Sequence, residues 1–336
     1  SKSFIIADTP GHIEYTRNMV TGASTAQASI VLIDARNGVV EQTYRHFFIN
    51  NLLRIKNVVI AINKMDLVNF SQEKFNNIKG EIEFLASKSE YKNQNLTFIP
   101  LSALEGDNVV SSSDKTPWYT GKTLLDHLEG LETEDINEES QARFTVQSVI
   151  RPKTEEYHDF RGYAGKIYGG NFEVGDKIRV LPSQTTSTIK SIHFFNETYV
   201  EAKRGSAVTM TLADNVNVSR GDMIVKVDEL PKVQKQFIAT ISWMDAKNLT
   251  VGSKYVLQHG VNKVLAKVST INHKIETDFS GIKSDISSLG MNDIASVSFQ
   301  LNKPIFFDSF KEHRTNGAFI LIDPQTNNTA GAGFIE

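Results

Sequence analysis

Three short clusters in this chain carry side chains that could do chemistry together. Asp8-Thr9-Pro10-Gly11-His12 follows the apolar run Phe4–Ala7, Asn63-Lys64-Met65-Asp66 follows Val58–Ile62, and Ser102-Ala103-Leu104 follows Phe98–Leu101. An aspartate and then a glycine at the carboxyl end of a strand suit a phosphate site. Asp8 can hold Mg²⁺ through water, and Gly11, without a side chain, lets its N–H approach a terminal phosphate closely. Asp-x-x-Gly alone is more often a simple turn, and its weight here comes from the other two clusters. Guanine presents two adjacent N–H donors, N1 and the exocyclic amine, and one carboxylate such as Asp66 accepts both. Adenine cannot supply that pair. Charge-assisted bonds of this kind contribute about 1.5–3 kcal/mol each, enough to select a base. Asn63 can brace the loop, the Lys64 stem can lie across the base, and Ser102-Ala103 can offer backbone N–H groups to the purine oxygen.

The elements that must position these clusters alternate in type. Phe4–Asp8 reads as a buried strand and Ile13–Thr25 as a helix with Tyr15, Met19 and Val20 on one side. Ser29–Asp34 reads as a strand closed by Asn37-Gly38. A helix over 41–55 follows, with Phe47, Phe48, Leu52 and Ile55 at helical spacing. Then come the Val58–Ile62 strand, a helix over 71–87 capped by Ser71, a strand around Phe98 and a helix over 123–131. This alternation predicts a parallel sheet covered on both faces, whose carboxyl ends are where ligands bind.

The acidic run Glu132–Ser140 reads as a solvated linker. Beyond it the pattern changes to strands alone. Segments 144–150, 162–167, 177–181, 187–195, 207–212 and 223–227 suit one compact β-barrel. Segments 236–243, 254–258, 263–272, 295–301, 317–322 and 332–335 suit a second. Ser280–Leu289 reads as a loop or short helix. His259, His273 and His313 are too scattered for a metal site and read as surface or packing histidines. The 336 residues carry a net charge of −3, so nothing electrostatic points to nucleic acid or an anionic membrane. The absence of cysteine excludes disulfides, thiol nucleophiles and thiolate-held metals. No apolar run is long enough to span a membrane, and a cytoplasmic location is expected.

The three clusters resemble the third, fourth and fifth signatures of translation-factor-type GTPases. Within that superfamily the chain is similar to the GTPase (large) subunit family of bacterial sulfate adenylyltransferases. Asp8–His12 with Tyr15-Thr16-Arg17-Asn18-Met19, Leu32-Ile33-Asp34-Ala35-Arg36 and Ala61–Leu67 carry the likeness, and Pro100–Val109, Pro117-Trp118-Tyr119 and Gly331-Ala332-Gly333 extend it. Arg161-Gly162-Tyr163-Ala164-Gly165 resembles the sulfate branch more than elongation factors, although two permissive glycines at the start of a strand explain it as well. The resemblance implies nucleotide contacts at Asp8, Thr9, Pro10, Gly11, His12, Asn63, Lys64, Met65, Asp66, Ser102, Ala103 and Leu104. It implies GTP and Mg²⁺ as cofactors, and His12 as the catalytic residue that orients the attacking water.

One signature is missing. The nearest approach to G-x-x-x-x-G-K-[ST] is Thr116–Thr123, where Pro117 has no N–H and Trp118 and Tyr119 would crowd a phosphate. In the family the P-loop and first strand precede the equivalent of Phe4, and that strand lies between those at Phe4 and Ser29. The expectation is therefore a longer natural chain, and no GTP turnover by the sequence as written. The expected layout is a multidomain protein: an α/β P-loop-GTPase-type parallel sheet without its first strand over 1–132, a linker over 133–142, and β-barrels over 143–231 and 232–336. By resemblance, GTP hydrolysis drives formation of adenosine 5′-phosphosulfate and pyrophosphate from ATP and sulfate. Adenylyl transfer then belongs to a separate small catalytic subunit, the expected partner, with no nucleic acid or membrane involved. Two other readings stay open: a translation-type factor that binds RNA, and a partner-binding scaffold that does not hydrolyse GTP.

Overall fold

The computed structural model describes residues 3–8, 19–20, 26–132, 141–152, 160–195 and 197–336. The chain divides into two compact units. One is Ser1–Asp135 with Lys274–Ser284, and the other is Ile136–His273 with Asp285–Glu336.

The first unit is built on a parallel sheet in the order β1 (Ala28–Asp34), β2 (Asn57–Asn63), β3 (Asn95–Pro100). The register sets Asp34 opposite Asn63, and Ile62 opposite Pro100, so the three carboxyl ends open onto one rim. β2 is the central strand and is apolar on both faces. Val59 and Ala61 join Ile99 and Leu101 of the β3 region in one core, and Val58, Ile60 and Ile62 are buried on the opposite face. Helices α1 (Glu41–Leu52) and α2 (Gln72–Lys88) cross between strands, and α3 (Leu124–Gly130) follows the last. The Ser71 hydroxyl accepts from Lys74 N–H at 3.3 Å, the expected cap of α2. α1 stops short of the expected Ile55. The chain turns through Arg54 at φ 55° and still buries Ile55 completely. The Phe279 ring, on the returning segment, lies 6.0 Å from Phe47 and 5.3 Å from Phe48.

The expected strand at Phe4–Asp8 does not form. Residues 3–8 have no regular structure, and Ile5 and Ile6 are 102% and 87% exposed. A short apolar run becomes a strand only where a neighbour pairs its backbone and covers its faces, and among the described residues β1 is the sheet edge, with Leu32 64% exposed. Of the helix expected over Ile13–Thr25, Met19 and Val20 are described; both are helical and buried.

The second unit holds two closed six-stranded antiparallel barrels. The first closes in the order Ala207–Leu212, Gly162–Tyr168, Arg143–Ile150, Met223–Lys226, Lys177–Leu181, Thr185–Phe194, and the last strand pairs back to the first. The second runs Lys254–His259, Ala318–Ile322, Thr329–Ile335, Lys232–Trp243, Ile294–Phe307, Asn262–Ile275 and closes likewise. All twelve expected segments are strands, because inward positions alternate around cores built on Phe144, Phe172 and Ile224 in one barrel and Trp243, Phe299 and Phe319 in the other. Ser280–Leu289 is neither a plain loop nor a helix: Ile282–Lys283 and Ser288–Leu289 are short strands. In the Arg161–Gly165 motif a side chain on Gly165 would come within 2.3 Å of the Thr145 carbonyl, so close strand approach explains that glycine.

Candidate functional site

The rim above β1–β3 gathers two of the three clusters. Asn63 ends β2, and its Oδ1 accepts from Lys64 N–H at 2.7 Å and from Ala103 N–H at 2.9 Å. One side-chain oxygen therefore ties the turn after β2 to the turn after β3. Lys64 adopts φ 62°, which throws the chain into a short 3-10 turn, Met65–Val68. Met65 is fully buried, and its N–H donates to the Leu101 carbonyl at 3.2 Å, a second tie between the same two turns. Asp66 follows in the 3-10 turn, half-buried on the rim, where its carboxylate can take up an N–H pair.

The turn after β3 is held from below. Ser102 is fully buried; its N–H donates to the Asp107 carbonyl at 3.2 Å and its hydroxyl accepts from Glu105 N–H at 3.3 Å. Asn108 is buried and satisfies three partners: its Nδ2 donates to the Pro100 carbonyl at 2.8 Å and to Thr116 Oγ1 at 2.9 Å, and its Oδ1 accepts from Ser113 N–H at 2.9 Å. Lys115 bridges Glu105 and Asp107, 3.1 Å from the latter, and stands 5.1 Å over the Phe70 ring. The backbone amides of Ser102 and Ala103, expected to face a purine oxygen, thus donate to Asp107 and Asn63, while Leu104 stands 89% exposed beyond them. The segment Thr116–Thr123 has structural work of its own. Trp118 packs tilted against Phe75 at 5.1 Å and donates to the Phe70 carbonyl, and Thr123 caps α3.

Of the third cluster, Asp8 is described. Asp8 is exposed, and no hydrogen bond or ion pair joins it to either turn among the described residues. Thr9, Pro10, Gly11 and His12 lie outside the described residues. No cluster of three or more metal-ligating side chains occurs among the described residues.

Two residues that the sequence reading assigned no role stand on the same rim. Asp34, at the end of β1, accepts from Arg36 N–H and Nε at 3.0 Å each, from Arg36 Nη2 at 2.6 Å and from Lys64 Nζ at 2.9 Å. Arg36, with Lys64, holds its carboxyl far below the usual carboxylate range despite partial burial. A carboxylate closing an apolar strand, Leu32-Ile33-Asp34, was the signal that could have found it.

Comparison with known proteins agrees with this geometry. The elongation factor Tu GTP-binding domain family matches residues 1–210, and the GTP-eEF1A C-terminal domain-like family matches residues 236–336. The chain is 44% identical over 335 residues to sulfate adenylyltransferase subunit 1 of Bacteroides fragilis, covering 100% of this chain and 69% of that protein. It is 45% identical over 332 residues to the protein of the same name from Teredinibacter turnerae, covering 99% and 69%. A bifunctional enzyme CysN/CysC of Mycobacterium tuberculosis is 44% identical over 335 residues, and the chain spans 54% of its length. Among solved structures, Sup35 complexed with GMPPNP superposes with a TM-score of 0.54 at 21% identity, covering 94% of this chain and 79% of that one, a likeness of fold. With a translation-factor-type GTPase domain, two barrels and this identity along its whole length, the chain belongs to the sulfate adenylyltransferase subunit 1 family, the GTPase-type subunits of sulfate activation.

Proposed function

We propose that this protein is the GTP-binding regulatory subunit of a sulfate adenylyltransferase. GTP plus water gives GDP and phosphate, and this hydrolysis drives ATP plus sulfate to adenosine 5′-phosphosulfate plus pyrophosphate. Adenylyl transfer takes place on a separate small catalytic subunit, the partner that the relatives' designation as subunit 1 calls for, in the cytoplasm where the ATP and GTP pools are. The observation that carries the reading is the double tie made by Asn63 Oδ1, which sets the Asp66 turn and the Ser102–Leu104 turn side by side. That rim fits a guanine base: Asp66 accepts N1–H and the exocyclic amine, Lys64 covers one face, and Ala103 and Leu104, held from below by buried Ser102, wall the purine oxygen side, over buried Met65. Asp8, Thr9, Pro10 and Gly11 would serve the phosphates, Asp8 holding Mg²⁺ through water, with His12 orienting the attacking water. Mg²⁺ supplies charge neutralisation on the phosphates.

The test is Asp66→Asn in the intact protein. An amide offers a donor where guanine also presents one, so GTP affinity should fall at least about tenfold. Xanthosine triphosphate, with a carbonyl in place of the amine, should gain relative to GTP. Competition titration of the two nucleotides reads this directly, and an unchanged preference for guanine overturns the proposal.

A further inference from the structure

We infer that Asp34 is a positioning residue of the guanine subsite, holding the Lys64 ammonium so that the lysine stem already lies where the face of the base must rest. The inference rests on the guanine reading of the rim given above. Asp34 and Asn63 are register partners at the ends of adjacent strands, so the carboxylate and the residue before Lys64 are fixed by the same sheet. Lys64 itself leaves that sheet at φ 62°, in the left-handed region. Its backbone is held by Asn63 Oδ1, and its side chain is held separately, by Asp34 Oδ2 at 2.9 Å.

A lysine stem is long and flexible, and an unanchored one must be ordered when the base arrives, at the expense of affinity. Anchored beforehand, it meets the base as a preformed wall. The anchor is well made. Arg36 grips Asp34 through its guanidinium, Nε to Oδ1 and Nη2 to Oδ2, in the two-pronged geometry that fixes a carboxylate in one orientation. The Asp34 side chain is 18% exposed against 46% for Lys64, so the carboxylate is the fixed member of the pair and the ammonium the member it holds. Arg36 also lies within electrostatic reach of Asp66.

The experiment follows release of N-methylanthraniloyl-GDP by stopped flow from the intact protein and from Asp34→Asn, Lys64→Met and the double variant. Asp34→Asn should release the nucleotide about three- to tenfold faster. In the Lys64→Met background the same change should add nothing, because the anchor has lost what it anchors. A release rate within about 1.5-fold of the parent, or a full acceleration that persists without Lys64, overturns the inference. Where Asp34→Asn does not fold, Asp34→Ser carries the same cycle. Asp66→Asn is measured alongside. If its base preference does not move, the guanine reading itself has failed; if it moves while the Asp34 cycle stays flat, only the role of Asp34 has.

Discussion

Asn63 spends one oxygen on two backbone donors, Lys64 N–H and Ala103 N–H, in two separate turns. Replacing it with alanine leaves both donors without that acceptor, at a cost of about 1–3 kcal/mol to the first unit. The two turns would also lose their mutual position, so guanine-nucleotide affinity should fall about tenfold or more. Urea unfolding and nucleotide titration together check this; lost stability with unchanged affinity would make Asn63 a structural brace alone. The types and spacing of Asn63, Lys64 and Asp66 pointed to a base-recognition turn from the sequence. The partners of Asn108 did not, because a buried asparagine has no pattern of its own and is defined by which carbonyl and hydroxyl the fold brings to it.

At the scale of elements, strands with their own burial pattern were legible and those dependent on a neighbour were not. β2 is apolar from Val58 to Ile62 and barrel strands such as Lys254–His259 alternate, so each states its environment. Phe4–Ala7 looks as apolar as the centre of β2, yet among the described residues no strand pairs with it. Elements far apart in sequence are also joined by a charge the sequence did not flag. Arg143, at the start of the first barrel, is 1% exposed and donates through Nε and Nη2 to the two oxygens of Asp308, just past the strand Ile294–Phe307 of the second, at 2.9 and 2.8 Å. Asn316 donates to Asp308 as well, at 2.7 Å. Asp308→Ala would leave a buried guanidinium without its counter-charge and should cost about 3–5 kcal/mol. The denaturant midpoint of the second unit measures it, and a loss under about 1 kcal/mol would mean that Arg143 finds solvent.

At the scale of the whole molecule, burial makes several histidines acid-sensitive, His46 and His127 in the first unit and His259 and His313 in the second. Burial pushes His259 and His313 below the ordinary histidine range; neighbouring Asp308 opposes the shift at both, and Arg143 adds to it at His313. His259 Nε2 donates to the Asn316 carbonyl at 2.8 Å, and His313 Nδ1 accepts from Asn316 N–H at 3.0 Å, so each ring has a neutral partner. A histidine kept neutral when folded takes up its proton on unfolding at about pH 6.5. Its contribution is thus fully present above that pH and is lost as pH falls below it. Each such ring should cost up to about 1.4 kcal/mol per pH unit in that descending window. Denaturant unfolding between pH 7.5 and 5.5 checks the slope, and His259→Gln, which keeps a donor without a titrating group, should flatten it. A slope unchanged in that variant would place the acid sensitivity elsewhere.

The sequence by itself determined the alternation of strands and helices, the twelve barrel strands and the chemistry available at Asn63–Asp66, because all of these are written in local periodicity and residue type. Only the tertiary structure decided that β1 delivers Asp34 to Lys64, that Asn63 closes two turns at once, that Phe4–Ala7 forms no strand, and that Arg143 meets Asp308. Each of these depends on which distant backbone lies alongside. Pairing register and burial come from the assembled sheet and barrels, and no local run of residues contains them.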